Sequence, residues 1–202
     1  MDITVGELPP NRHCEAFRLR HQVLCESLGE LPPSADAQER DAWDDCSLHV
    51  HASIGERLVA YVRIILAGHG PFLMESLGYS LDALPGDLRT HVGEPSRIIV
   101  DPKLSRSLRV VHDPFSKLVA AAYQLSLERG VVGWVFDTDA HFVRSLRQRG
   151  WPLVQFGDPI EHHGVKRAPF FVRLSEVESA QFAHRAHSVR PKSRRPPAVE
   201  PS

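Results

Sequence analysis

Between Cys14 and Leu28 the apolar residues Phe17, Leu19, Val23, Leu24 and Leu28 recur near helical spacing, and Gly29 stops the run. This spacing predicts a first helix. The stretch Leu31–Asp45 is rich in Pro and Asp, carries no apolar period and reads as a loop. The period then changes to two. Leu48, Val50 and Ala52 alternate with His49 and His51, and Val59, Tyr61, Arg63 and Ile65 share one face of the next run. Two strands are predicted, Leu48–Ser53 and Leu58–Leu66, joined by a turn at Gly55-Glu56. Arg63 interrupts an otherwise apolar strand face, where a charge is costly unless paired.

Beyond this hairpin, Gly68–Val92 is irregular, with one short helix expected near Ser80–Leu84. Arg97–Val100 reads as a compact strand ended by Asp101-Pro102. Pro114–Gly130 predicts a helix with Phe115, Leu118, Val119, Ala122, Leu125 and Leu127 on its apolar face. Val131–Phe136 predicts a strand. Asp139–Gly150 predicts a helix whose last turn places Arg147 and Arg149 at the negative end of the dipole. Leu153–Phe156 and Phe170–Leu174 are the last strands. Early paired strands followed by strand–helix–strand crossovers suit an α/β sandwich with helices on both faces of a mixed sheet. No G-x-G-x-x-G follows the first strand, which disfavours a dinucleotide-binding fold.

The chain of 202 residues fits one domain, expected over residues 1–182, that buries a core without disulfide or metal support. Residues 183–202 hold five Lys/Arg, four Pro and one Glu and read as a flexible basic tail, either merely solvated or in weak contact with acidic partners. A formal net charge of −1 offers no electrostatic argument for nucleic acid. No apolar run approaches the roughly 20 residues of a membrane span. The N-terminus lacks a basic region followed by an apolar stretch, so a cytoplasmic location is expected. Cys14, Cys25 and Cys46 match no zinc or redox spacing and are expected to be reduced and mostly buried.

Three groups of charge stand out: Arg20 on the first helix, Glu39-Arg40-Asp41-Ala42-Trp43-Asp44 in the loop, and Arg63 with Glu94-Pro95-Ser96-Arg97. Arg20, Arg63 and Arg97 can form an ion-pair network with Glu39, Asp41 and Asp44. Such a network either pins the helix and loop to the sheet or shapes a pocket for a charged small molecule. His49 with His51, and His162 with His163, lack a completing ligand set, so no metal is expected. Neither G-x-S-x-G nor H-E-x-x-H occurs.

Several blocks resemble known families. Phe17-Arg18-Leu19-Arg20-His21-Gln22-Val23 is similar to the "LRxxV" helix of the acyl-homoserine-lactone synthases. Glu39-x-Asp41-x-Trp43-Asp44 resembles their "ExDxxD" loop, Arg63 their strand arginine, and Glu94-x-Ser96-Arg97 their "ExSR" motif. Leu24 and Glu30 depart from an aromatic and a Trp usual in those enzymes. Val23-Leu24-Cys25-Glu26, Ser47-Leu48-His49 and His163-Gly164-Val165-Lys166-Arg167-Ala168-Pro169 resemble instead the N-acyl amino acid synthases and the acyltransferases of exosortase (PEP-CTERM) systems, with their late "HGxRxP" segment. Either one extra residue precedes Arg167, or Lys166 takes the arginine's place.

The resemblance implies a GNAT-like α/β/α sandwich with a mainly antiparallel central sheet, and an enzyme that moves a fatty-acyl group to an amine. Such a reaction needs a base, because an α-amine is largely protonated at neutral pH. Glu94 is the candidate base, with Ser96 and Arg97 beside it, although Glu94 can also serve only as an ion-pair partner of Arg63 or Arg97. Arg20, Glu39, Asp41, Trp43, Asp44 and Arg63 are the candidate amine pocket. The segment Asp101–Arg109 contains no glycine for a bare-backbone phosphate cradle. Lys103, Arg106 and Arg109 there either form a solvated basic loop or meet acyl carrier protein, the donor the resemblance implies, with acyl-coenzyme A as the other donor and no tightly bound cofactor. The leading expectation is an N-acyl amino acid synthase. The alternatives are an acyl-homoserine-lactone synthase using S-adenosylmethionine, and a non-catalytic acyl- or carrier-binding module.

Overall fold

The computed structural model describes residues 2–86, 88–105, 113–162 and 164–177. The chain opens with strand β1 (Ile3–Glu7) and helix α1 (His13–Arg20). Helix α1 widens without a break into a π-helical stretch, His21–Ser27, where the Leu28 amide donates to the Val23 carbonyl five residues back at 2.9 Å. The long loop follows, then the hairpin β2 (Ser47–Ile54) and β3 (Arg57–Leu66). A covering segment carries the short helix α2 (Leu73–Ser76). Strand β4 (Val92–Val100), a turn of helix α3 (Pro102–Ser105) and helix α4 (Pro114–Glu128) come next. Strand β5 (Gly133–Asp139), helix α5 (Ala140–Gln148) and strands β6 (Val154–Gln155), β7 (Ile160–His162) and β8 (Val165–Arg173) complete the described elements.

Caps explain where the two long helices begin. The Asp113 carboxylate accepts from the Phe115 amide ahead of Pro114, and the Asp139 carboxylate accepts from the His141 and Phe142 amides. The sheet runs β1-β2-β3-β4-β5-β8-β6, with β7 also on β8. Among the described strands only β4 and β5 are parallel neighbours. They pair at just two positions, Val92↔Gly133 and Gly93↔Trp134, and β4 then runs on without β5. The two strands make a fork, and glycines sit at its closed end because nothing larger fits. A Cβ on Gly93 would lie 2.8 Å from Ile64 Cγ2, and one on Gly133 would lie 3.0 Å from the Val172 carbonyl oxygen.

The two faces of the sheet differ in chemistry. On one, Leu48, Val50, Ala60, Val62, Ile64, Trp134, Phe136, Phe170 and Val172 pack beneath α4 and α5 in the main apolar core. On the other, the cross-strand registers align His49, Arg63 and Ser96, then Ile65 and Glu94, while Val135 and Asp137 follow on β5. A charged band therefore crosses the sheet beneath α1, the loop and the covering segment. Small apolar clusters flank the band, one around Leu19, Leu24, Tyr61 and Ile99, the other around Ile65, Met74, Tyr79 and Val135.

The fold matches the expected α/β/α class with a mainly antiparallel sheet. Several boundaries differ. β1 and β7 were not anticipated, and β4 begins at Val92 rather than Arg97. Of the cysteines, Cys25 is buried, Cys46 is half-buried and Cys14 is exposed; all three are free thiols.

Candidate active site

The site begins with α1. Helical spacing sets Arg20 on the same sheet-facing stripe as Ala16, Phe17, Val23 and Leu24, so its guanidinium is carried into the interior with no exposure. Arg63 reaches the same interior from β3 and is equally buried. Two fully buried cations demand partners, and the loop supplies them. Arg20 Nε donates to Glu39 Oε2 at 2.5 Å, Arg20 Nη1 to Asp44 Oδ1 at 2.5 Å, and Asp41 Oδ2 lies 3.9 Å from Arg20 Nη2. Arg63 Nη1 donates to Asp44 Oδ1 at 2.8 Å and also to Asp41 Oδ1, while its Nε donates to Ser96 Oγ at 3.0 Å. Arg97 closes the ring, bonding Glu39 Oε1 at 3.1 Å and Asp41 Oδ2 at 2.9 Å through Nη2.

Three guanidiniums thus face three carboxylates, a one-to-one balance of charge in a poorly solvated place. Burial by itself raises the Glu39 and Asp44 carboxyls, but the adjacent arginines outweigh it and both end below their ordinary range. Arg20 and Arg63 move upward for the complementary reason, their carboxylate bonds overcoming the cost of burial.

The loop is held from below by His49. Its Nε2 meets the Asp44 carbonyl at 2.8 Å and its Nδ1 meets Tyr61 Oη at 2.7 Å, both buried. A carbonyl only accepts, so Nε2 carries the hydrogen and Nδ1 accepts from the tyrosine. Burial pushes the imidazole below its ordinary range, which keeps it neutral as this pattern requires. Replacing Tyr61 with Phe leaves Nδ1 without a donor and is expected to lower unfolding free energy by about 1–3 kcal/mol. Urea unfolding of Y61F with an unchanged midpoint would refute this support.

Glu94 stands apart from the network. Among the described residues it pairs with neither Arg63 nor Arg97, contrary to the ion-pair alternative for this residue. Its Oε1 accepts from the Met74 amide at 3.0 Å, and Oε2 has no partner among the described residues. Burial pushes its carboxyl up to about 8, against the pull of the α2 backbone amides. One nitrogen of Arg63, Nη2, is likewise buried without a partner among the described residues. The position is the first on β4 past the fork's closed end. Three residues on, Arg97 has a left-handed backbone, φ 56°, where β4 carries one more residue than β3 between Ser96 and Ile99. Such a bulge leaves a residue outside the ladder and bends the strand.

Trp43 is half-buried, its indole nitrogen donating to the Pro71 carbonyl at 2.9 Å, so it ties the loop to the covering segment. Lys103 is exposed, its amide on Asp101 Oδ1 at 2.8 Å. Arg106, Arg109, His163 and residues 178–202 lie outside the described residues. No cluster of three or more His, Cys, Asp or Glu arranged for a metal, and no helix long and apolar enough to cross a membrane, occurs among the described residues.

Two charged residues on the same face were not anticipated as site residues. Asp137 lies on β5, and Arg167 Nε donates to its Oδ2 at 2.6 Å. Arg167 is half-buried at this place while Lys166 is exposed. Period-two alternation along Gly133–Asp139 would have found Asp137 had the strand not been ended at Phe136.

A forked, mainly antiparallel sheet covered on both faces, with a buried carboxyl at the fork, is a GNAT-like fold. The autoinducer synthase family model matches residues 7–181, and the chain belongs to that family. An acyl-homoserine-lactone synthase of Rhizobium radiobacter is 32% identical over 151 residues, covering 72% of this chain and 71% of the relative. Among solved structures, FeeM, an N-acyl amino acid synthase from uncultured soil microbes, aligns with a TM-score of 0.70 at 17% identity over 92% of this chain and 98% of that one. BjaI, a coenzyme A-dependent acyl-homoserine lactone synthase with S-adenosylmethionine and isopentyl-coenzyme A, aligns with a TM-score of 0.68 at 19% identity over 90% and 89%. The chain is accordingly an acyltransferase. The family match favours the lactone-synthase alternative over the N-acyl amino acid synthase expected first.

Proposed function

We propose that this protein is an acyl-homoserine-lactone synthase, joining the amine of S-adenosylmethionine to a fatty-acyl thioester. The observation that carries the reading is the buried, half-partnered Glu94 just past the closed end of the fork beside the three-arginine network, in a chain of the autoinducer synthase family. Glu94 takes a proton from the ammonium, and the nitrogen attacks the thioester carbonyl. The N–C bond forms, the C–S bond breaks, and the thiol leaves with a proton. The carboxylate of the acylated product then attacks its own γ-carbon, forming the ring C–O bond as the sulfonium leaves as methylthioadenosine.

Past Gly93 the β4 backbone has no β5 neighbour, so an extended pantetheine arm can lie in the fork and bond to it as a strand would. The network carboxylates and arginines suit a substrate carrying both an ammonium and a carboxylate. Lys103, Arg106 and Arg109 are the positions where an acidic carrier protein would dock, making acyl carrier protein the proposed donor. The second reading, acylation of an ordinary amino acid, is favoured by the FeeM likeness.

Mass spectrometry of lipid extracts from a bacterial host expressing the chain distinguishes them. An acyl-homoserine lactone absent from the Glu94→Gln strain is expected. An N-acyl amino acid instead would promote the second reading, and no acylated product from folded protein would remove both. Purified protein given acyl carrier protein or acyl-coenzyme A then identifies the donor.

A further inference from the structure

The charged band does not end at Glu94. Across the fork, Asp137 continues it on β5, and the β5–β8 register brings Arg167 alongside from the next strand. Arg167 grips Asp137 twice, Nε to Oδ2 at 2.6 Å and Nη2 to the Asp137 carbonyl at 3.1 Å. The pair is anchored from above as well, because Tyr79 Oη donates to the Arg167 carbonyl at 2.7 Å from the covering segment. The Asp137 side chain is only 9% exposed against 34% for Arg167, so the carboxylate faces inward and its counter-charge stands on the solvent side. A bare carboxylate there would oppose ionisation of another carboxyl on the same face.

Resting on Glu94 as proton acceptor in the proposed reaction, we infer that Asp137 and Arg167 are a positioning pair that sets the proton affinity of Glu94 from the far side of the fork. The other charged groups around Glu94 are bonded elsewhere, although Arg63 keeps Nη2 without a partner among the described residues. Arg63 on β3 is bonded to Asp41, Asp44 and Ser96, and Arg97 on β4 to Glu39 and Asp41. From the covering segment, α2 offers the Met74 amide, Glu75 bonds back to the Phe72 amide, and Tyr79 is engaged with Arg167. Besides burial, the Asp137 carboxylate raises the Glu94 carboxyl and the Arg63 guanidinium lowers it. Burial sets the main level and the α2 amides oppose it; Arg167, bonded to Asp137 on the solvent side, is the counter-charge through which the pair adjusts that level.

The test needs no substrate. Full-length protein labelled with carboxyl-13C glutamate is titrated by NMR, and the Glu94 signal is assigned by its loss in E94Q. Arg167→Gln leaves Asp137 uncompensated and is expected to raise the proton affinity of Glu94 about tenfold; Asp137→Asn leaves a cation and is expected to lower it about tenfold. The double variant is expected to titrate near the wild type. A pair that merely staples β5 to β8 would lower the thermal midpoint of both single variants and leave the Glu94 titration where it was, which overturns the inference. Asp137→Asn keeps size and shape, so it decides the matter even where Arg167→Gln folds poorly. If Glu94 titrates as expected but E94Q keeps full activity, the pair's hold on Glu94 stands and the proton-acceptor reading alone fails.

Discussion

Replacing Glu94 with Gln is expected to lower turnover by about 100- to 10,000-fold, the span over which a positioned acid or base contributes to catalysis. The amide keeps the shape of the side chain and removes only its capacity to take a proton. The pH dependence carries a second signature. The competent form is the carboxylate, and with burial holding the carboxyl near 8 the wild type is mostly protonated at neutral pH. Activity therefore rises with pH and levels off above about 8. Deprotonation of the substrate amine produces a rise in the same region. E94Q separates the two, since a rise due to the amine persists in the residual activity of the variant and one due to Glu94 does not.

Stability moves in the opposite direction. The folded protein holds the Glu94 proton more tightly than the ordinary carboxyl at 4.5, so this contribution is fully present below 4.5 and is lost as pH rises through about 8. In E94Q no proton can be lost there. The wild-type thermal midpoint is expected to fall between pH 6 and 9 by more than that of the variant. Parallel curves would show that Glu94 is not held protonated by the fold.

What was legible in the sequence follows the strength of each local pattern. β2, β3, α4 and α5 bury one clear face, and their periods read plainly. β1 is an edge strand with only Ile3 buried among its five residues, which leaves no alternation to read. The first half of β4 hides behind Gly93 and Pro95, residues that ordinarily argue against a strand. Both are explained by the fork: Gly93 fits the closed end, and Pro95 follows the split, where β4 has become an edge on that side. The π-helical stretch has no compositional signature in His21–Ser27. Order and spacing of motifs brought Arg20, Glu39, Asp41, Asp44, Arg63 and Arg97 into view together, and the structure places all six in one connected ring. Charge pairing across distant segments is not periodic, however, so the partners of each arginine, and the absence of an arginine from Glu94 among the described residues, needed three-dimensional contact to appear.

Replacing Arg20 with Met is expected to cost about 3–5 kcal/mol in unfolding free energy, the usual consequence of removing one partner from a buried ion pair. The methionine can fill much of the space, so the loss is electrostatic. Glu39 and Asp44, with side chains 9% and 6% exposed, lose a bonding cation, and Asp44 keeps only Arg63. The acid dependence tests this cause. Both carboxyls lie below their ordinary values of 4.5 and 3.8 through their bonds to Arg20, so the stability they confer is present above those values and lost as pH falls through the folded ones. The difference between wild type and R20M in urea should be wide at pH 7 and should narrow below about pH 4, as protonation removes what the arginine holds. A difference under about 1 kcal/mol at pH 7 would put this ring among ordinary surface pairs. A large difference that ignores pH would mean that Arg20 acts through its packing against Phe17 and Tyr61, whose rings lie 5.3 and 5.9 Å from its guanidinium carbon. At temperatures where R20M remains folded, a raised KM for the amine substrate with kcat little changed would place the ring in binding, and a fall in kcat alone would connect it to the orientation of Glu94.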